Sequence, residues 1–396
     1  MCYIKRRRCC VISVLLLSAG LIVCFVAMYD SQIFAIKQFE PKHSTRYSST
    51  LKETISLYAN TYHDREYNDV NNSLQLQCDF KHDVTVYMDA FDAISKNYFG
   101  KSYQGYITRS HHCKPLPGGG KCLFNHDNKS SDAIFYCGIY NKLNYKRTFD
   151  KQVMIVFTLE SEKGHNCHFP PPDQYDIKIS YRRDADITNP FFCGSKLAKR
   201  VATRGQPTVP DEREHLVAGF ISGCKHKWRN DYLTELNKYI TIDQWGRCLK
   251  NTPGDFWKTR QSSFEKEKLA FLEKTPYKFL IAFENTVEVD YVTEKIHHAY
   301  LTRSIPIYYG DKAVFDMVPA NSSLIFANDY SPKELAALIH NIANNRTLYS
   351  QYFAKWDLSV MESLHQKYCL EHFTCTACRK VWEILHKRKC LGIDTH

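Results

Sequence analysis

A dense basic stripe, a recognisable nucleic-acid module and an internal repeat are all missing from this 396-residue chain. Without the first two, the net charge of +11 does not point to nucleic acid. Four of the 53 Lys and Arg are Lys5, Arg6, Arg7 and Arg8, and the rest are spread along the body. That modest surplus suits an anionic small ligand better. A zinc quartet is missing too: His165, Cys167 and His168 crowd one loop without the required spacing. The run PLPGGGK, residues 115–121, has Cys122 where a phosphate loop needs Ser or Thr, and no strand feeds it directly. It reads as a plain surface loop, with Cys113 or Cys122 available to staple it. No small-x-small cleavage site accompanies the first apolar run, which argues against a removable signal peptide.

What is present begins with that run. Residues 9–28, CCVISVLLLSAGLIVCFVAM, are uncharged and long enough to cross a bilayer as a helix. The basic residues before it place a tail, residues 1–8, in the cytosol and the body on the luminal side. Residues 29–75 are polar, without sustained periodicity, and read as a stem. Cys2, Cys9, Cys10 and Cys24 belong to the tail and anchor, which leaves 12 of the 16 cysteines in the body. An even number in an exported chain predicts disulfides. Cys375 and Cys378, with Cys369 and Cys390 nearby, read as structural disulfides rather than thiol-exchange or zinc residues. Asn71, Asn128, Asn321 and Asn345 head N-glycosylation sequons.

The body alternates apolar runs with helical patterns, which predicts parallel α/β units. Strands are expected at 84–88, 134–139, 153–159 and 177–181, and a second series from 216–222 onward. The charged, proline-containing stretch 200–213 reads as a linker. It divides an acceptor-side domain (76–210) from a second α/β domain (211–368), followed by a disulfide-linked segment (369–396). The chain is organised around residues 283–310, FENTVEVDYVTEKIHHAYLTRSIPIYYG. The strand 277–283 leads into a helix capped by Asp290, with Tyr291, Glu294, Lys295 and His298 on one stripe, then a second strand at 305–309. A lysine near a helix amino end is what a phosphate-bearing ligand needs.

FEN followed by DYVTEK and IPIYYG resembles the donor-binding signature of the α1,3-fucosyltransferases, with Arg303 where a glycine is usual. YRRDADI at 181–187 resembles that family's YRRDSDI segment, and Phe191-Phe192 replaces its Tyr-Gly. LESE at 159–162 is similar to its FESP, with Leu159 for Phe and Glu162 for Pro. Gly223 stands where Asn is frequent, and Trp245 for a Tyr. The family also has a terminal CxxC like Cys375-Thr376-Ala377-Cys378. The resemblance implies an α/β chain of GT-B architecture, two Rossmann-like domains with a cleft, held in the Golgi membrane as a single-pass type II protein. It implies GDP-fucose as donor and an N-acetylglucosamine-containing glycan as acceptor. Glu160 is the implied catalytic base, with Glu162 as its rival. Arg229 and Lys295 would stabilise the departing GDP, Tyr291 and Glu294 would contact the nucleotide, and Glu284 and Asn285 the fucose. No metal or other cofactor is implied as essential, although a divalent ion can stimulate.

Two other readings stand beside this one. Asp184 and Asp186 could chelate Mn or Mg between nucleotide phosphates, as in GT-A glycosyltransferases; Arg182 and Arg183 beside them argue against it. The departures at Leu159, Phe192, Gly223 and Arg303 keep open a noncatalytic nucleotide-sugar-binding relative. The acceptor glycan (N-glycan core, LacNAc or LacdiNAc) and the choice between monomer and homodimer are also left open.

Overall fold

Runs such as Val-Met-Ile-Val-Phe and Tyr-Lys-Phe-Leu-Ile-Ala-Phe have almost no polar face, so they are stable only in sheets covered on both sides. The computed structural model describes residues 10–17, 21–28, 80–88, 113–125, 129–137, 147–163, 170–209, 213–253 and 264–390. Residues 1–77 and 78–396 form separate compact units.

In the first unit, β1 (Cys10–Leu17) and β2 (Leu21–Met28) pair antiparallel, where the sequence predicts one helix. Val11, Ile12, Val14, Ile22, Val23 and Val26 are β-branched and suit a pleated surface well. Apolar length by itself specifies no backbone state. No helix among the described residues is long and apolar enough to cross a membrane.

The second unit holds two parallel sheets. The first orders its strands β4 (Cys122–Asn125), β3 (Val84–Met88), β5 (Ala133–Cys137), β6 (Val153–Phe157), β7 (Ile177–Ser180) and β8 (Ile187–Thr188). All five pairings are parallel. The other sheet runs β10 (Ile242–Gln244), β9 (His215–Gly219), β11 (Tyr277–Phe283), β12 (Ile305–Tyr309) and β13 (Ile325–Phe326), also parallel throughout. In each sheet the first strand in sequence lies between the second and the third. That reversal is a topological switch point, where loops at the carboxyl ends diverge and leave a crevice.

Among the described residues the α-helices are α1 (Leu197–Thr203), α2 (Lys227–Leu236), α3 (Phe264–Lys274), α4 (Glu294–Leu301), α5 (Pro332–Asn344), α6 (Arg346–Ala354), α7 (Leu358–Tyr368) and α8 (Phe373–Cys390). Core membership does not change at the linker expected near residue 210. Phe192 and the α1 residues Leu197, Ala198 and Val201 already share the second sheet's core. At the other end, Ala377, Cys378, Val381 and Trp382 of α8 return to the core of the first sheet. Each end segment carries an apolar face that matches the far sheet, and sequence order does not register this. Cys193–Cys369 joins the chain close to both crossings, while Cys113–Cys375 and Cys122–Cys378 fasten α8 to the first sheet. Cys224–Cys248 is a fourth bridge, and Cys390 is disulfide-bonded as well. The loop 115–121 turns through Gly118 and Gly119, both at positive φ, before feeding Cys122.

Arg303 adopts φ +57, the left-handed conformation that glycine tolerates best. Its guanidinium offsets part of the strain by donating to the carbonyls of Arg204 (3.0 Å) and Gly205 (2.9 Å). Arg303→Ala should therefore lose these bonds and keep the strain, whereas Arg303→Gly loses the bonds and the strain together. Denaturant unfolding is expected to rank Gly above Ala by about 1 kcal/mol.

Candidate active site

The switch point of the second sheet lies between β9 and β11, and the loops after these strands carry Gly223 and residues 284–293. Arg229, in the first turn of α2, is only 1% exposed. Its guanidinium donates to the Gly223 carbonyl (2.8 Å), to Asn285 Oδ1 (2.6 Å) and, at 3.4 Å, to the Phe283 carbonyl. One cation thus ties both loops of the crevice together. Trp228 reinforces the tie by donating from its indole to the Asn285 carbonyl (3.2 Å). Gly223, where the resemblance leads one to expect Asn, contributes through its backbone.

Lys295 sits two residues inside the amino end of α4, whose N-cap is Thr293 rather than the expected Asp290. Its ammonium lies 2.9 Å from Glu284 and 2.6 Å from the Thr293 hydroxyl, and its side chain is 18% exposed. Burial disfavours this charge, but Glu284 and Glu294 outweigh it and hold the ammonium above the ordinary lysine range. Glu294 opens the helix, 3.8 Å from Lys295, with 40% of its side chain exposed.

Glu284, expected at the sugar, is instead completely buried, because both its oxygens are used inside the protein. The Thr293 amide (2.8 Å), the Thr293 hydroxyl and Lys295 all donate to it. Burial pushes its carboxyl up while Lys295 pulls it back. Glu294 adds to the upward push, so the carboxyl stands above its ordinary range although Lys295 and Thr293 donate to it. Gly310 faces the same place: a Cβ there would run into the Tyr308 hydroxyl and crowd Glu284 Cγ.

Tyr291 is not on the helix stripe with Glu294. It lies in the loop before α4 and is 1% exposed. Edge-to-face packing against Tyr181 (5.0 Å) and Phe191 (5.7 Å) fixes its ring. Its hydroxyl points at Glu160 Oε2, 3.5 Å away on the other sheet. Burial, then Glu160 and Glu284, raise the phenol far above its ordinary range, so it is a donor here.

Glu160 follows β6 by three residues, at the carboxyl end of a fully buried strand. Its amide donates to the Thr158 hydroxyl (3.0 Å), which turns the chain as it leaves the sheet. Glu162 faces elsewhere, 2.8 Å from the ammonium of Lys178 on β7. Asp184 is held bidentately by Arg182, at 2.8 and 2.6 Å, and Asp186 accepts from the Lys178 amide. Chelation by these two carboxylates would first require both arrangements to open. Among the described residues no group of three or more His, Cys, Asp or Glu could hold a metal ion. Asn321 and Asn345 are exposed, whereas Asn71, Asn128, His165, Cys167 and His168 lie outside the described residues.

Sequence reasoning missed several residues around this centre. Asp290 has φ +63 and accepts from the Arg183 amide (2.9 Å) and Nε (2.7 Å) instead of capping a helix. Lys268 on α3 is 5% exposed, with its ammonium 3.3 Å from His298 Nδ1 and 4.7 Å over the Phe220 ring. A signal for it was present: Lys268 and Leu272 are four apart, one face of a helix, beside the buried Leu269. Burial pushes its ammonium down to about 8, although Glu294 and Glu265 favour the charge. Between that value and about 10.4 the unfolded chain binds more protons, so this lysine adds stability as pH rises. Unfolding curves should show wild type gaining about 1–3 kcal/mol on Lys268→Met between pH 7 and pH 10. A pH-independent difference would mean the ammonium is not strained.

Two cations beside a switch point between parallel strands stand where open α/β sheets bind their ligands. Residues 210–393 match the family model described as glycosyltransferase family 10 (fucosyltransferase), C-terminal part. GDP-fucose protein O-fucosyltransferase 3 of Homo sapiens is 29% identical over 260 residues, covering 61% of this chain and 51% of that protein. Alpha-(1,3)-fucosyltransferase fut-1 of Caenorhabditis elegans is 28% identical over 243 residues, covering 58% and 53%. A crystal structure of an alpha1,3-fucosyltransferase with GDP-fucose aligns over 74% of this chain and 92% of its own, at 18% identity and a TM-score of 0.47. The chain spans about half the length of the curated relatives it matches. Its residues 210–393 thus group with the carboxyl-terminal part of the family 10 fucosyltransferases.

Proposed function

We propose that this chain transfers fucose from GDP-β-L-fucose to an acceptor hydroxyl with inversion, across a GT-B cleft between its two sheets. The observation that carries the reading is the meeting of Tyr291 with Glu160. It sets a carboxylate from one sheet directly against the loop that carries the cationic switch point of the other. Glu160 takes the proton of the acceptor hydroxyl, whose oxygen attacks the anomeric carbon as the bond to GDP breaks. The far-side attack turns the β-linked donor into an α-linked product. Lys295 and Arg229 stabilise the negative charge that gathers on the departing diphosphate. Arg229 works from beneath the crevice while holding its loops, and Glu284 acts through Lys295. Asn285, Tyr291 and Glu294 border the donor.

The acceptor has two readings. The FEN–DYVTEK signature and the likeness to fut-1 favour α1,3 transfer to N-acetylglucosamine. The likeness to protein O-fucosyltransferase 3 favours a protein hydroxyl. Residues 9–28, uncharged and as long as a bilayer crossing requires, serve as the membrane anchor. The disulfides of the body support the luminal side of the Golgi.

The test is GDP release from GDP-fucose by the full-length chain against N-glycan cores, LacNAc, LacdiNAc and folded proteins, with and without EDTA. Release with glycans alone supports the α1,3 reading, and release with proteins alone moves the acceptor to a protein hydroxyl. Loss of release in EDTA transfers the charge-stabilising role to a metal, with Asp184 and Asp186 as first suspects. A folded, GDP-binding chain that is silent with every acceptor overturns the enzyme reading.

A further inference from the structure

The loop 284–293 has its polarity inverted for a surface segment. Val287 and Val289 point to solvent, 44% and 53% exposed, while Glu288 and Asp290 between and beside them are buried, 6% and 5% exposed. Both acids are spent on the opposite sheet. Ser161, fully buried, donates its hydroxyl to Glu288 Oε2 at 2.7 Å, and the Lys163 amide donates to the same oxygen at 3.2 Å. Asp290 takes the Arg183 amide and Nε, and Arg183 reaches on to Asp316 at 2.7 Å. The Tyr291–Glu160 contact adjoins both grips in the chain, since Tyr291 follows Asp290 and Glu160 precedes Ser161.

Stability alone is a poor account of Glu288. A carboxylate taken out of water onto the Ser161 hydroxyl and the Lys163 amide, beside the Tyr181 phenol, pays a desolvation cost that an apolar residue would avoid. What the contact does achieve is geometric. It fixes the residues that directly follow Glu160 to the middle of the loop that Arg229 and Lys295 hold at its ends. We propose that Glu288 is a positioning residue: it locks the strand end bearing Glu160 to the donor loop, so that donor occupancy sets where the base stands. The proposal rests on the fucosyl-transfer reading for its catalytic consequence, but the mechanical linkage stands independently.

Since one oxygen accepts both bonds, Glu288→Gln keeps the lock and Glu288→Leu breaks it. In the full-length chain, Glu288→Leu is expected to lower kcat about 10- to 100-fold with the KM for GDP-fucose changed less than about threefold. Ser161→Ala should act in the same direction, and the double variant should be no worse than Glu288→Leu. Hydrogen exchange with GDP as the probe reads the linkage directly. In wild type, GDP should protect residues 158–163 along with 284–295; in Glu288→Leu only 284–295 should respond, and Glu288→Gln should restore both. A wild type whose residues 158–163 ignore GDP, or a Glu288→Leu that keeps its kcat or loses GDP binding, overturns the proposal. Linked protection in a chain that transfers to no acceptor would sink the fucosyl reading and leave the lock standing.

Discussion

Glu160→Gln is expected to lower kcat by about 10²- to 10⁴-fold, the usual contribution of a general base, while GDP affinity stays within about twofold. Glutamine preserves the acceptor for the Tyr291 hydroxyl and so leaves the loop contact in place. It removes only the ability to take a proton. Glu162→Gln is the matched control: its carboxylate is neutralised by Lys178, so turnover should fall less than about threefold. Single-turnover kinetics together with calorimetric GDP titration separate the two quantities. Full turnover in Glu160→Gln with a collapse in Glu162→Gln would exchange their roles.

Lys295→Met should damage the protein twice. Glu284 has no exposed surface, and without the ammonium its charge is left with Thr293 alone. Breaking a buried pair in this way costs about 3–5 kcal/mol, which lowers the melting temperature of a domain this size by roughly 6–15 °C. Removing the cation should also weaken GDP binding by at least about tenfold, since it stands at the helix end proposed to face the diphosphate. The double variant Glu284→Gln/Lys295→Met distinguishes the two effects. With no buried charge left unpaired, it should regain most of the melting temperature and none of the GDP affinity. Recovery of both would make Lys295 a structural partner of Glu284 and nothing more.

The parallel sheets were legible because strands buried on both faces must be written as short apolar runs, and β6 and β11 are the clearest of them. The donor segment was legible in kind: strand, loop, helix and strand follow one another as the residues predict. Its details were not. Asp290 has the chemistry of an N-cap, yet an arginine 107 residues away claims its oxygens. Tyr291 fits a helical stripe by spacing, but the helix starts three residues later. Local rules cannot see such competition, because the competing partner arrives only with the second sheet. The amino-terminal run shows the opposite limit, since its β-branched residues satisfy a strand and a membrane helix about equally.

By itself, then, the sequence determined the class of fold, the family resemblance and the stretch of chain that forms the second sheet's central strand–loop–helix–strand unit. These follow from short-range periodicity and from residue types at fixed spacing. Only the tertiary structure decided which carboxylate meets the donor loop. Glu160 and Glu162 are two residues apart and chemically alike, and what separates them is Tyr291 on one side and Lys178 on the other. It also returned α8 to the first sheet, and it turned Glu288 inward onto Ser161, 127 residues away. Contacts at that separation form only when both sheets are folded and packed together, so no local pattern in the chain could have encoded them visibly.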